Sequence, residues 1–319
     1  FSGSQALAAV GSTSALINVF TNLFIGISLG ANVLTARFYA AGREKEVSET
    51  VHTAITLALI SGIVMALVGL VFSRGALALM GTPDDVIGLS ALYMRIYFLG
   101  MPFFMLYNYG AAILRAVGDT KRPLLFLMIA GVINACLNMV LVIVFKLGVA
   151  GVAIATVISQ MISCVLVLRC LCQSESSYRL RFSELGMKGY YLKQIFSVGV
   201  PAGIQSTVIN FSNVLLQSSV NSFGSTAMAG YTAANNLLGF LYVSVNSITQ
   251  ACMSFTSQNY GAGDYRRIKK IAMISVVTGV VTTELLSVLA VYFGPQLLGI
   301  YSPSAEVVAA GMVRLRWIA

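Results

Sequence analysis

Polar side chains suited to binding a small cation lie inside two consecutive apolar stretches of the sequence. Asn134 and Asn138 are four positions apart, so they share one face of a helix, and Thr156 lies in the next apolar stretch. Amide and hydroxyl oxygens are hard ligands suited to Na⁺, and they can also hydrogen-bond a protonated acid. Polar groups are costly in hydrocarbon, so their presence suggests a functional site. The structural alternative is that both asparagines hydrogen-bond between helices.

A second group of polar side chains occurs at helical spacing in the later part of the chain. These amides could face a cleft and contact a substrate, and the alternative for each is a structural role between helices. The candidates are Asn210, Asn213, Gln217, Asn235 and Asn236.

Glu284 is the acidic residue that lies deep inside an apolar run. A buried carboxyl group tends to take up a proton, because desolvation disfavours its charged form. Glu284 is therefore a possible protonation site. The alternative is a structural carboxyl group bonded to Thr283 or Ser287.

The sequence lacks the residue sets that carry catalysis. It has no glycine-rich phosphate loop and no Ser-His-Asp set, and its single histidine, His52, cannot form a metal cluster. The five cysteines lie in or at the ends of apolar runs, where they act as small packing side chains. We therefore expect neither an enzyme nor an ATP-driven pump, and no organic cofactor or metal.

The elements that must position these residues follow from the composition. Of 319 residues, 57% are apolar and 10% are charged, and the mean hydropathy is +0.85. A water-soluble chain carries roughly 25% charged residues. Each apolar run is long enough to cross about 30 Å of hydrocarbon as a helix. The runs predict an all-α, polytopic membrane protein with eight complete spans and the start of a ninth, at 14–39, 50–72, 90–114, 123–145, 148–171, 194–221, 230–257, 269–293 and from 307 onward.

The basic residues predict the orientation of these spans. There are 20 Lys and Arg against 11 Asp and Glu, and most of the basic residues cluster in alternate loops, at 37–45, 115–122, 169–193 and 266–270. Scattered clusters between apolar runs argue against a nucleic-acid surface, and the positive-inside bias makes these loops cytoplasmic. We expect a multi-pass protein of the bacterial inner membrane, with Phe1 starting outside and an odd number of spans upstream of it.

The two halves of the sequence resemble each other. Residues 3–8 (GSQALA) recur as residues 224–229 (GSTAMA), and residues 38–42 recur at the same offset as residues 259–263. This separation of about 220 residues implies a duplicated bundle with both copies in the same orientation, and hence two six-helix lobes related by a parallel repeat. The predicted domains are an N-terminal lobe at 1–172, a cytoplasmic linker at 173–193 and a C-terminal lobe at 194–319.

Several motifs follow one another with consistent order and spacing. They are residues 30–33 (GANV), Pro102, residues 113–123 (ILRAVGDTKRP), residues 134–138 (NACLN), residues 148–156 (GVAGVAIAT) and residues 199–201 (GVP). These motifs resemble the multidrug and toxic compound extrusion (MATE) family over the whole chain. The resemblance implies twelve helices in the parent protein, so we expect this chain to hold helices two to nine and the start of helix ten.

The resemblance also implies an activity. It points to a secondary transporter that exchanges H⁺ or Na⁺ for amphipathic or cationic drugs by alternating access of the two lobes. In the family, the positions of Asn134, Asn138 and Thr156 form a cation site with an aspartate on the first helix, which would lie upstream of Phe1. The family often has Asp where this chain has Asn138, which weakens the case for Na⁺. We expect a monomer whose partners are a small-molecule substrate and membrane lipid, and no nucleic acid.

The nearest alternative is a flippase for lipid-linked sugars of the same superfamily. Such a protein needs cationic side chains in its cleft to bind pyrophosphate. The predicted spans hold almost no interior Lys or Arg. This composition favours the drug antiporter.

Overall fold

The computed structural model describes residues 3–79, 84–221, 225–301 and 304–318. In these residues the fold is all-α. A π-helical turn at Val140–Val144 extends α5, and a short 3-10 turn occurs at Phe182–Glu184. The helices are α1 (Gly3–Ala40), α2 (Glu44–Leu79), α3 (Asp84–Leu99), α4 (Met101–Ala116), α5 (Lys121–Met139), α6 (Gly148–Cys172), α7 (Gly189–Asn221), α8 (Ser225–Gly261), α9 (Tyr265–Tyr292), α10 (Gly294–Tyr301) and α11 (Ala305–Ile318).

Helices of membrane-spanning length occur where the sequence predicts spans. Among the described residues, α1, α2, α5, α6 and α9 are long and apolar enough to cross a membrane, and α3 with α4 makes a sixth span if the bent pair is counted as one. The predicted spans at 194–221 and 230–257 coincide with α7 and α8, whose many Ser, Thr, Asn and Gln side chains make them less apolar. The chain is thus an all-α, multi-pass membrane protein.

The predicted span at 90–114 is not a straight helix. It is broken at Gly100, and the two parts, α3 and α4, meet at a bend of 46°. Pro102 stands in the first turn of α4, where its missing N–H removes no helical hydrogen bond. A β-carbon on Gly100 would lie 2.7 Å from Oε1 of Gln160, so this position also lets α6 approach the bend. Glycine and proline together therefore place the break.

The chain divides into two compact units, Phe1–Thr207 and Val208–Ala319. In the first, α4 packs against α1, α2 and α6, and its fully buried Met101, Met105 and Tyr109 lie in the core. In the second, α8, α9, α10 and α11 pack around a small core that includes Leu298 and Leu315. The division falls within α7, whereas the lobe boundary proposed from the sequence, at 194, lies near the start of that helix. The lobe boundaries proposed from the sequence repeat stay a prediction.

The stretch between α6 and α7 is held against the beginning of α2. The backbone N–H of Arg181 donates to Nε2 of His52 at 3.1 Å, and the N–H of Lys188 donates to Oγ1 of Thr53 at 3.4 Å. The Lys188 ammonium also forms an ion pair with Glu49. The 169–193 stretch therefore packs at the end of the first unit where α2 begins.

Charge within this stretch is paired locally. Nη1 of Arg181 donates to Oε1 of Glu184 at 2.8 Å. This hydrogen bond lowers the pKa of the Glu184 carboxyl group. Both side chains are about half exposed, so the pair orients the 3-10 turn more than it stabilises the fold.

Candidate functional site

The three residues predicted to bind the coupling ion lie on two neighbouring antiparallel helices. Asn134 and Asn138 are on α5, and Thr156 is on α6. A short turn joins these helices, with positive φ angles of 53° at Lys146 and 54° at Gly148. Such a tight connection makes consecutive helices neighbours. The i, i+4 spacing then places both amides on one face of α5.

The side chains form one hydrogen-bonded cluster, as the spacing predicts. Nδ2 of Asn138 donates to Oδ1 of Asn134 at 2.9 Å, and Nδ2 of Asn134 lies 3.5 Å from Oγ1 of Thr156. Nδ2 of Asn134 also donates to Oγ of Ser159 at 3.3 Å. Ser159 was not among the predicted residues. Its only sequence signal is the i, i+3 spacing from Thr156, which places both hydroxyl groups on the same side of α6.

The hydroxyl protons of the cluster are used by the helix itself. Thr156 donates to the carbonyl of Val152 at 2.9 Å, and Ser159 donates to the carbonyl of Thr156 at 2.8 Å. Both hydroxyl oxygens therefore present lone pairs, not protons, to Asn134. The α6 side of the cluster consists of acceptors.

The cluster ends in an oxygen atom that lacks a donor. Oδ1 of Asn138 is buried and has no hydrogen-bond partner in the described part of the chain. An unsatisfied buried acceptor costs about 1–3 kcal/mol, so a cation or an acidic proton at this atom would be favourable. The asparagines, the threonine and the serine of the cluster carry no charge, so any cation at this atom would meet neutral oxygen ligands.

The predicted cleft residues of α7 are only partly described. Asn213 is exposed on the helix. The side chains of Asn210 and Gln217 lie outside the described residues. Their role in substrate contact stays a prediction.

The two candidates on α8 are both exposed, and one of them has a partner. Oδ1 of Asn235 accepts a hydrogen bond from Nη2 of Arg314 at 3.0 Å. The guanidinium carbon of Arg314 also lies 3.3 Å from the centre of the Tyr231 ring, a cation–π contact. The Asn235 oxygen is therefore already engaged within the second unit, whereas Asn236 presents its amide at the surface.

Glu284 lies on an exposed face of α9 among apolar side chains such as Val281 and Leu285. The hydroxyl of the adjacent Thr283 donates to the carbonyl of Gly279 at 2.7 Å, so that proton is not directed to Glu284. No basic side chain of the described residues lies within ion-pair distance of this carboxyl group. Glu284 therefore has no ion-pair partner among the described residues, and its protonation stays a prediction.

Comparison with known proteins gives consistent matches. The MatE family model matches residues 1–140 and 201–319. A probable multidrug resistance protein, YoeA of Bacillus subtilis, is 32% identical over 313 residues, which cover 95% of this chain and 67% of that protein. The FAD transporter of Shewanella oneidensis is 24% identical over 310 residues, which cover 96% of this chain and 68% of that protein.

The fold also matches solved structures. An outward-facing structure of a multidrug resistance MATE family transporter of the MOP superfamily has a TM-score of 0.90 and 21% sequence identity, and the match covers 99% of this chain and 71% of that one. The family model covers most of the chain, and a relative above 30% identity covers nearly all of it. The chain therefore belongs to the MatE family, the family that its motifs resemble.

Proposed function

We propose that the protein containing this chain exports amphipathic or cationic drugs and toxins in exchange for H⁺ or Na⁺. Transport would proceed by alternating access of two lobes in the bacterial inner membrane, with the basic loops on the cytoplasmic side. The relative named a probable multidrug resistance protein supports the substrate class, since it is similar over nearly all of this chain.

The observation that carries the coupling proposal is the α5–α6 cluster. Asn134 is hydrogen-bonded to Asn138 on α5 and to Ser159 on α6, and Oδ1 of Asn138 lacks a hydrogen-bond donor. A protonated carboxyl group can donate to this oxygen, and Na⁺ can be ligated by it together with the hydroxyl oxygens of α6. Binding of either ion would change the contact between α5 and α6, and this change is what a coupled transporter needs.

A flippase or a carrier of a pyrophosphate compound receives less support from the same site. Pyrophosphate recognition uses arginine or lysine at close range. The residues around the α5–α6 cluster are neutral, and basic residues of the described α5 and α6 lie near the helix ends, at Lys121, Arg122 and Arg169. A neutral site is better suited to exchanging a small cation than to holding a polyanion.

The test is transport by the complete protein in sealed vesicles. Ethidium should move against its gradient when a proton or sodium gradient is imposed, and the movement should stop when that gradient is collapsed. If several cationic dyes all remain unmoved while FAD or a lipid-linked sugar is carried, the drug-export proposal is wrong.

The ion site is tested by comparing Asn134→Ala with Glu284→Gln in the same vesicles. Losing the central amide of the cluster removes a hydrogen-bond network worth roughly 1.5–3 kcal/mol towards a charged ligand, so ion-driven transport should fall by about ten-fold or more. Glu284→Gln should retain most of the activity. Dye binding without a gradient should be unaffected in both variants, and greater damage from Glu284→Gln would place the coupling group on α9.

A further inference from the structure

A cavity of about 580 Å³ lies between the first turns of α5 and the last turns of α6. Arg122, Leu125 and Phe126 line it from α5, and Leu166, Arg169 and Gln173 line it from the α6 side. Arg122 and Asn134 are twelve positions apart on α5, so at 1.5 Å per residue the cavity is about 18 Å along the helix from the polar cluster. The cavity is therefore separate from the polar cluster. It lies at the end of α5 and α6 that the basic loops at 115–122 and 169–193 adjoin.

The cavity has a cationic edge. The guanidinium group of Arg122 donates from Nη1 to Sγ of Cys170 at 3.5 Å, and this contact directs it towards α6. Nε of Arg122 lies 3.4 Å from Oδ2 of Asp119, so part of its charge is balanced. Arg169 is exposed, and none of the described carboxyl groups lies within 4 Å of it. Two arginines thus line one cavity, and only Arg122 has a carboxylate partner among the described residues.

The cavity is also lined by apolar side chains, and this apolar surface continues along the outside of α5. Leu125 is 52% exposed and the adjacent Leu124 is 59% exposed. Further along the helix, Met128 and Val132 are also exposed. Only 6% of the most apolar part of this helix is buried. A ligand held at the arginines would therefore have an apolar helix surface directly beneath it.

This combination of charge and apolar surface matches one chemical class. We propose that the cavity binds the phosphodiester headgroup of an anionic phospholipid, with Arg122 and Arg169 on the phosphate and the acyl chains along the Leu124–Leu125 face of α5. Basic pockets between membrane helices at the cytoplasmic interface attract such headgroups. Arginine suits the task because its planar group donates two parallel hydrogen bonds to phosphate oxygens. The amide of Gln173 at the rim supplies a donor for the headgroup.

Free phosphate shares the headgroup chemistry but not the apolar part. A soluble phosphate would use the two arginines and gain nothing from Leu125, whereas a phospholipid gains from both. The proposal concerns a lipid site and does not depend on the transported substrate or on the coupling ion.

The test measures lipid binding to the complete protein in detergent by native mass spectrometry, with phosphatidylglycerol and phosphatidylcholine as probes. Phosphatidylglycerol should bind more tightly than phosphatidylcholine. Each arginine should contribute about five-fold, so the double variant Arg122→Gln/Arg169→Gln should bind phosphatidylglycerol about 25-fold more weakly. The matched control is Arg266→Gln/Arg267→Gln, which removes the same charge at the start of α9 and should change binding less than two-fold.

Further variants separate the remaining explanations. Arg122→Lys/Arg169→Lys keeps the charge but loses the paired donors of the guanidinium groups, so its binding of phosphatidylglycerol should lie between that of the unchanged protein and that of the glutamine variant. Leu125→Asn should weaken the binding of phosphatidylglycerol but leave any binding of inorganic phosphate unchanged. Equal losses in the two glutamine variants, or displacement of the lipid by millimolar inorganic phosphate, would overturn the assignment.

Discussion

Replacing Gly26 by alanine should destabilise the protein, because α1 and the first half of α7 cross with their backbones in contact. Gly26 and Gly30 are four positions apart on α1, and Gly199 and Gly203 have the same spacing on α7. A β-carbon on Gly26 would lie 2.3 Å from Cα of Gly203, and one on Gly30 would lie 2.2 Å from the carbonyl oxygen of Ile195. Both partners are backbone atoms, which cannot rotate away.

The size of the destabilisation follows from how far α1 and α7 must move apart. Ordinary van der Waals contact begins at 3.4 Å, so a β-carbon on Gly26 requires the helices to separate locally by about 1 Å. Overpacking of this kind costs about 1–3 kcal/mol. The gain in helix propensity from glycine to alanine is at most about 1 kcal/mol. The steric term is larger, and we expect a net loss of about 1–2 kcal/mol in the free energy of unfolding.

The measurement is unfolding of the complete protein by SDS in mixed micelles. The matched control is Gly131→Ala on α5, where a β-carbon meets no atom within 4 Å. That variant lacks the steric cost and should be unchanged or more stable by up to about 1 kcal/mol. Equal shifts in the two variants would show that α1 and α7 do not meet through these glycines, and the packing argument would fail.

Two further predictions concern bonds between distant parts of the first unit. Asn32 donates from its buried amide to the carbonyl of Ala112 at 2.8 Å, so Asn32→Ala should lower the free energy of unfolding by about 1–3 kcal/mol. Asn108→Ala, which removes a hydrogen bond within one helix, should lower it by less, and equal losses in the two variants would contradict this prediction. Lys188→Ala should speed chymotryptic cleavage between α6 and α7, at Tyr178 or Phe182, about two- to five-fold, because the ion pair of Lys188 with α2 is lost. A similar effect of Lys193→Ala, whose exposed side chain has no described ion pair, would show that the pair does not restrain this stretch.

The α5–α6 cluster shows which side-chain contacts can be predicted from sequence spacing and which cannot. The spacing of Asn134 and Asn138 predicts a shared face, and the short connection between α5 and α6 predicts that Thr156 is near. The structure confirms both expectations through hydrogen bonds. The position of Ser159 depends in addition on the rotation of α6 about its axis, which is set by packing against α3, α4 and α5. No local pattern encodes that rotation.

Contacts between distant positions were beyond prediction for a related reason. Arg314 and Asn235 are 79 positions apart, and each is an ordinary polar residue in its own segment. Arg181 and His52 are 129 positions apart, and the histidine had no sequence partner that suggested a role. Such pairs form only after several helices have packed, so they depend on the whole arrangement.

The sequence by itself determined that the chain is helical and crosses a membrane, because hydrocarbon accepts only long apolar segments whose backbone groups are bonded internally. It also determined the family through motifs that keep their order and spacing. Three features were decided by the tertiary structure. They are the buried Oδ1 of Asn138 that lacks a hydrogen-bond donor, the bend at Gly100 and the cavity beside α5 that Arg122 and Arg169 line. Hydropathy depends on composition summed over a segment, whereas each of these contacts depends on the relative rotation and approach of two helices, which packing fixes.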